Sequence, residues 1–167
     1  MPKVSDMEGI EHNAPKTTHT MLWLYLLFAV AAGAMLPFQF GINAQLSNWV
    51  DSPIRAAFIS FLVGTIALLI ISAFVRKPLP SLARLGDVPW WVWVGGLLGA
   101  FYVAGSIVTA PKLGAVTLAA AIVFGQTLAS VLVDQFGWVG FKEHHASPGR
   151  LVGVLLVATG VVLVRAF

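Results

Sequence analysis

The 167-residue chain has no cysteine, few charged residues and scarcely an acid within its apolar stretches. Without cysteine, neither a disulfide framework nor a thiolate metal site is available. Charged residues make up 10% of the sequence, and the Lys and Arg are scattered between apolar runs. The net charge of +3 is therefore no basic stripe, and nucleic acid is not an expected partner. His12, His19, His144 and His145 all fall in polar stretches. The last two adjoin Glu143, but neighbours on one loop are a weak ligand set, so no metal and no cofactor are expected. There is no Ser-His-Asp order and no phosphate loop, so the chain does not read as an enzyme.

What is present is apolar sequence in long runs. Hydrophobic residues are 58% of the chain, and the mean hydropathy of +0.87 lies far outside the range of soluble domains. Five runs stand out: Met21–Leu46, Ile54–Val75, Trp90–Thr109, Ala115–Val133 and Leu151–Phe167. At 1.5 Å rise per residue, a helix of about twenty residues crosses the roughly 30 Å hydrocarbon core. Continuous runs exclude an outer-membrane barrel, whose strands show short alternating patterns. The expected fold is all-α, a polytopic inner-membrane protein of five transmembrane helices. An odd number of crossings places the two ends on opposite sides of the bilayer.

Residues 1–20 are expected to be a disordered polar tail and residues 21–167 a five-helix domain. Ala29–Ala34 offers a small-residue cleavage pattern, but the long acidic tail and the apolar sequence continuing past it argue against a cleaved leader. Pro53, Pro89 and Pro148 stand near helix starts, where a missing N–H is harmless. Pro78 and Pro80 are expected to end the second span, and Pro111 with Gly114 to turn the chain between the third and fourth. Trp23, Trp49, Trp90, Trp91 and Trp138 fall at run ends, as an interfacial aromatic belt does, with Trp93 one turn inside.

Positive charge sets orientation. Lys3, Lys16, Arg76, Lys77, Arg84, Lys142 and Arg150 share the side of the N-terminus, against Arg55, Lys112 and Arg165 on the other. This bias predicts a cytoplasmic N-terminus.

Polar residues inside spans are expensive and mark function by default. Gln39 and Asn43 follow Pro37 on one helix face, and Pro37 is expected to kink the helix before them. Gln126 lies within the fourth run, with Asp134 at its end, where pairing to a loop is favoured over proton carriage. The amides either bond neighbouring helices or line a cavity. No acid lies deep in a span, which favours neutral or zwitterionic cargo held by Gln39, Asn43 and Gln126 against an aromatic face such as Trp93. Gly95–Gly99, Ala121–Gly125 and Gly149–Gly153 form small-residue stripes expected to pack helices closely.

Several blocks resemble the YdcZ-type branch of the drug/metabolite transporter superfamily. They are Pro37-Phe38-Gln39-Phe40-Gly41-Ile42-Asn43, Ala56-Ala57-Phe58 through Gly64, Trp90 through Ala100, Pro111-Lys112-Leu113-Gly114, Gly125-Gln126 and Asp134-Gln135-Phe136-Gly137. The resemblance spans Leu24 to Leu163. It implies half of an inverted-repeat transporter, with Gln39, Asn43 and Gln126 on the family's polar motif positions. A single five-helix repeat cannot build a pseudo-symmetric midplane site alone. The resulting expectation is a half-size secondary transporter, an exporter of a small metabolite or drug-like solute. It would work by alternating access as an antiparallel dimer, with itself or with a paralogous five-helix subunit. The alternative is a non-transporting membrane subunit that stabilises another protein.

Overall fold

The computed structural model describes residues 19–75 and 81–167; the expected tail and the residues Arg76, Lys77, Pro78 and Pro80 lie outside them, save for the helical backbone at His19 and Thr20. The described residues contain helices and no strand. They are α1 (His19–Val50), α2 (Pro53–Phe74), the short α3 (Leu82–Gly86), α4 (Val94–Leu113), α5 (Ala115–Phe136) and α6 (Pro148–Ala166). Single 3-10 turns at Trp90–Trp93 and Trp138–Gly140 precede α4 and follow α5. Five segments are long and apolar enough to cross a membrane: Met21–Val50, Pro53–Phe74, Trp90–Leu113, Ala115–Phe136 and Pro148–Ala166.

Local chemistry explains each boundary. α1 runs to Val50, four residues past the expected end, and continues as helix through Pro37. Asp51 then takes a left-handed backbone, φ 52°, and the Ser52 amide reaches the Ser47 carbonyl at 3.2 Å, the pattern that closes a helix after its last turn. Ser52 in turn caps α2 by accepting from the Arg55 amide at 3.3 Å, with Pro53 in the first position. Ser147 and Pro148 repeat the device at α6, which therefore begins three residues before the apolar run.

One expectation is corrected. Pro111 lies inside α4 rather than in the turn, and the whole link between α4 and α5 is Gly114 at φ 74°, ψ 164°. Pro111 removes the hydrogen bond to the carbonyl four residues back, so the helix is weakened two residues before its end, while the last turn still closes through Gly114 N–H to the Ala110 carbonyl at 3.0 Å. Trp93 closes the 3-10 turn that opens the third span, one turn inside its start as expected.

The chain divides after Met35 into two compact units. From Met21 to Met35, α1 carries only apolar, aromatic and small side chains. Beyond it, a small core joins α2 and α4: Ala56, Ala57, Val103 and Ile107 are buried, with Leu46, Val50, Tyr102 and Ala104 packed against them. Alanines at the centre let α2 and α4 approach closely, as small residues do in bilayers. Leu118 is the buried residue of α5.

Candidate functional site

Gln39 lines a cavity of about 240 Å³ together with Ser60, Phe61, Gly64, Thr65, Leu68 and Val103. The amide of the first span thus shares a cavity with two hydroxyl residues of the second, Ser60 and Thr65, about one and two helical turns beyond the Ala56–Ala57 core. One turn further along α1, Asn43 is 4% exposed, and its Nδ2 has no hydrogen-bond partner. Gln39 and Asn43 therefore share a face as the four-residue spacing predicts, but only Gln39 opens onto the cavity.

Asn43 points at α4. Phe40, one turn before it, meets Tyr102 edge-on with ring centroids 6.3 Å apart, and Leu46, one turn after, packs on the core that contains Val103 and Ile107. The Tyr102 hydroxyl is buried and unpartnered too. By contrast, the Ser106, Thr109, Thr127 and Thr159 hydroxyls each donate to a carbonyl one turn back, at 2.7–2.8 Å. Those four satisfy themselves within their helix.

The structure does not bring all the expected residues together. Gln126 sits midway along α5 with its side chain exposed, and Trp93 is 58% exposed; neither lines the Gln39 cavity. Of the small residues, Gly99 faces α2, where an added Cβ would lie 3.6 Å from Phe61 Cζ. At Gly95, Gly125, Gly149 and Gly153 it would meet nothing within 4 Å, and Ala121 is half-buried.

The link between α5 and α6 is built from side chains. Arg150 Nη1 lies 3.1 Å from Asp134 Oδ2 and also donates to the His144 carbonyl at 3.2 Å. The Asp134 carbonyl accepts the His144 amide at 2.8 Å, and Gln135 Oε1 accepts the Ala146 amide at 2.8 Å. Gln135 Nε2 and His145 Nδ1 are 3.1 Å apart. Gly137 closes α5 at φ 60°, in space so tight that a Cβ would come within 2.8 Å of Glu143 Cγ. Every residue of the Asp134-Gln135-Phe136-Gly137 block thus contributes to this corner. Phe136 stacks on Trp138 at 5.1 Å, and the other three fix the loop.

The model of the family described as "Putative inner membrane exporter, YdcZ" matches residues 24–163. The chain belongs to the YdcZ branch of the drug/metabolite transporter superfamily. It is similar to Inner membrane protein YdcZ of Escherichia coli (strain K12), at 29% identity over 141 residues, which are 84% of this chain and 94% of that protein. No solved structure matches the chain. With five spanning helices, this YdcZ-family protein is a multi-pass protein of the inner membrane. All the site residues named above fall inside the matched stretch.

The site residue without a sequence signal of its own is Tyr102. Its depth is the one clue: tyrosines favour the interface, whereas residue 102 sits near the middle of the Trp90–Leu113 span.

Proposed function

We propose that the chain is a half-size secondary transporter that exports a small neutral or zwitterionic solute, working as an antiparallel dimer by alternating access. The observation that carries this reading is the placement of amides at mid-span on exposed faces. Gln39 looks onto an open cavity, and Gln126 lies midway along α5 with nothing of its own chain over it. An amide left in hydrocarbon is costly, so both faces call for another protein surface or a water-filled passage. A second copy or a paralogue in the opposite orientation supplies both, bringing two half-sites together at the midplane. The open flanks of Gly95, Gly125, Gly149 and Gly153 leave room for a partner helix to approach.

Cargo class follows from charge. Asp134 is the one acid within a spanning helix, two residues from its end and paired to Arg150. A carboxylate tied down there does not offer a cation a mid-membrane counter-ion, which leaves hydrogen bonding as the means of recognition. The positive-charge bias places the N-terminus in the cytoplasm in most copies. Nothing in the reading requires catalysis.

Inverted vesicles from cells overproducing the chain, screened against neutral and zwitterionic solutes, test it. Uptake above that of control vesicles is expected for at least one solute. Gln39→Leu and Gln126→Leu should each remove most of that uptake while folded protein stays at its original level. If no solute moves, the chain is a non-transporting subunit and the proposal fails.

A further inference from the structure

Asn43 and Tyr102 stand apart from every other polar group in the spans. Both are sealed from solvent and both lack a partner, Asn43 at Nδ2 and Tyr102 at its hydroxyl. Phe40 links them: one turn before Asn43, it packs edge-on against Tyr102 of α4, while Leu46, one turn after Asn43, packs on the core that α2 and α4 share. Asn43 therefore lies on the face of α1 that meets α4.

A buried donor without an acceptor costs free energy, and hydrocarbon offers no water to relieve it. Leucine at position 43 and phenylalanine at position 102 would fill similar space without that cost. Helix glue does not account for the pair, because glue requires that the hydrogen bonds be made. Strain of this kind is explained when the partner comes and goes. The adjoining cavity gives the partner a route: Gln39, one turn before Asn43, and Val103, next to Tyr102, both line it.

We propose that Asn43 and Tyr102 form a two-donor subsite for an acceptor oxygen, carbonyl or carboxylate, of the exported solute, closed in this conformation and opened to water in another. The proposal rests on the transporter reading and deepens it. The amide N–H and the phenolic O–H both point to an acceptor, and the Phe40 ring gives the subsite an apolar flank. The α1–α4 contact is then a gate, closing over the subsite when it is empty.

Two readouts need no solute, so they fail independently of the transport reading. In native membranes, Tyr102→Cys and Asn43→Cys are treated with the charged thiol reagent MTSET, which reacts only where water reaches. Both should react, whereas Ala56→Cys, fully buried in the α2–α4 core, should not. Failure at positions 43 and 102, where Asn48→Cys reacts, would overturn the subsite. The second readout is the melting temperature of Tyr102→Phe in detergent, which should stay level or rise, because an orphaned hydroxyl has been removed. A fall of more than about 3 °C would mean the hydroxyl is bonded in the resting state, and would equally sink the proposal. For a solute that moves, Tyr102→Phe should raise the half-saturating concentration about tenfold, the loss of one good hydrogen bond.

Discussion

Arg150, in the first turn of α6, reaches back to Asp134 near the end of α5, with Nη1 3.1 Å from Oδ2. The two side chains are 40% and 31% exposed, so water screens the pair. The same guanidinium holds the His144 carbonyl, and the Asp134 backbone holds the His144 amide. The ion pair is one stitch in a clasp that sets how α5 meets α6, and not an isolated surface contact.

The first prediction concerns that clasp. Asp134→Asn should lower stability by less than about 1 kcal/mol, the range of partly exposed pairs, and leave transport per folded molecule close to the original. Exchanging the two charges, Asp134→Arg with Arg150→Asp, should recover part of any loss. Thermal melts and vesicle transport measure the two effects separately. A fully folded Asp134→Asn chain that transports nothing would make Asp134 a proton carrier instead.

Gly137 should tolerate change poorly. Its left-handed backbone costs an L-residue about 1–2 kcal/mol, and a Cβ there would press on Glu143 Cγ at 2.8 Å and the Phe141 carbonyl at 3.3 Å. Gly137→Ala is expected to destabilise by at least that amount. Adding Glu143→Ala should return only the part due to the Cγ clash, because the backbone strain and the close Phe141 carbonyl stay. Gly137→Asn should be milder, since asparagine visits this region more readily. If the melting temperature of Gly137→Ala equals that of the unmodified chain, the loop is not held as described.

Much of this fold is legible in the sequence, for a simple reason. A spanning helix needs an unbroken apolar run, and the runs beginning at Trp90 and Ala115 start where the structure starts them. Boundaries drift where capping decides them: α6 begins at Pro148 because Ser147 caps it, a signal that lies outside the apolar run. Pro111 misleads because proline weakens a helix without always ending it at once: here α4 runs two residues further, to Leu113, before Gly114 turns the chain. The site is less legible. Spacing puts Gln39 and Asn43 on one face, but which of them is sealed depends on where Tyr102 and Phe40 meet, a long-range contact that no local pattern encodes. The open side of Gln126 is likewise a property of packing and not of α5 alone.

The last prediction tests assembly. Opposed half-sites require the two copies to run in opposite directions. Positive charges favour one direction: Lys16, Arg76, Lys77, Arg84, Lys142 and Arg150 lie near spans on the N-terminal side, against Arg55, Lys112 and Arg165. That bias is too strong for even insertion and too weak to forbid a minority orientation. With no native cysteine, single cysteines report cleanly. Ser52 and Ser81 cap α2 and α3, so exposed neighbours serve better: Asn48 at the end of α1, and Asp87 after α3. In one chain these two positions lie on opposite sides of the membrane. In intact cells, an impermeant thiol reagent should label Asn48→Cys in most copies. An antiparallel homodimer adds a labelled minority of Asp87→Cys, and cross-links form between copies of opposite orientation. If Asp87→Cys stays wholly protected while Asn48→Cys is wholly labelled, self-pairing in opposite directions is excluded. That outcome leaves a paralogue with the reverse charge bias, recoverable by cross-linking from the same membranes, or a parallel assembly, which would overturn the antiparallel reading.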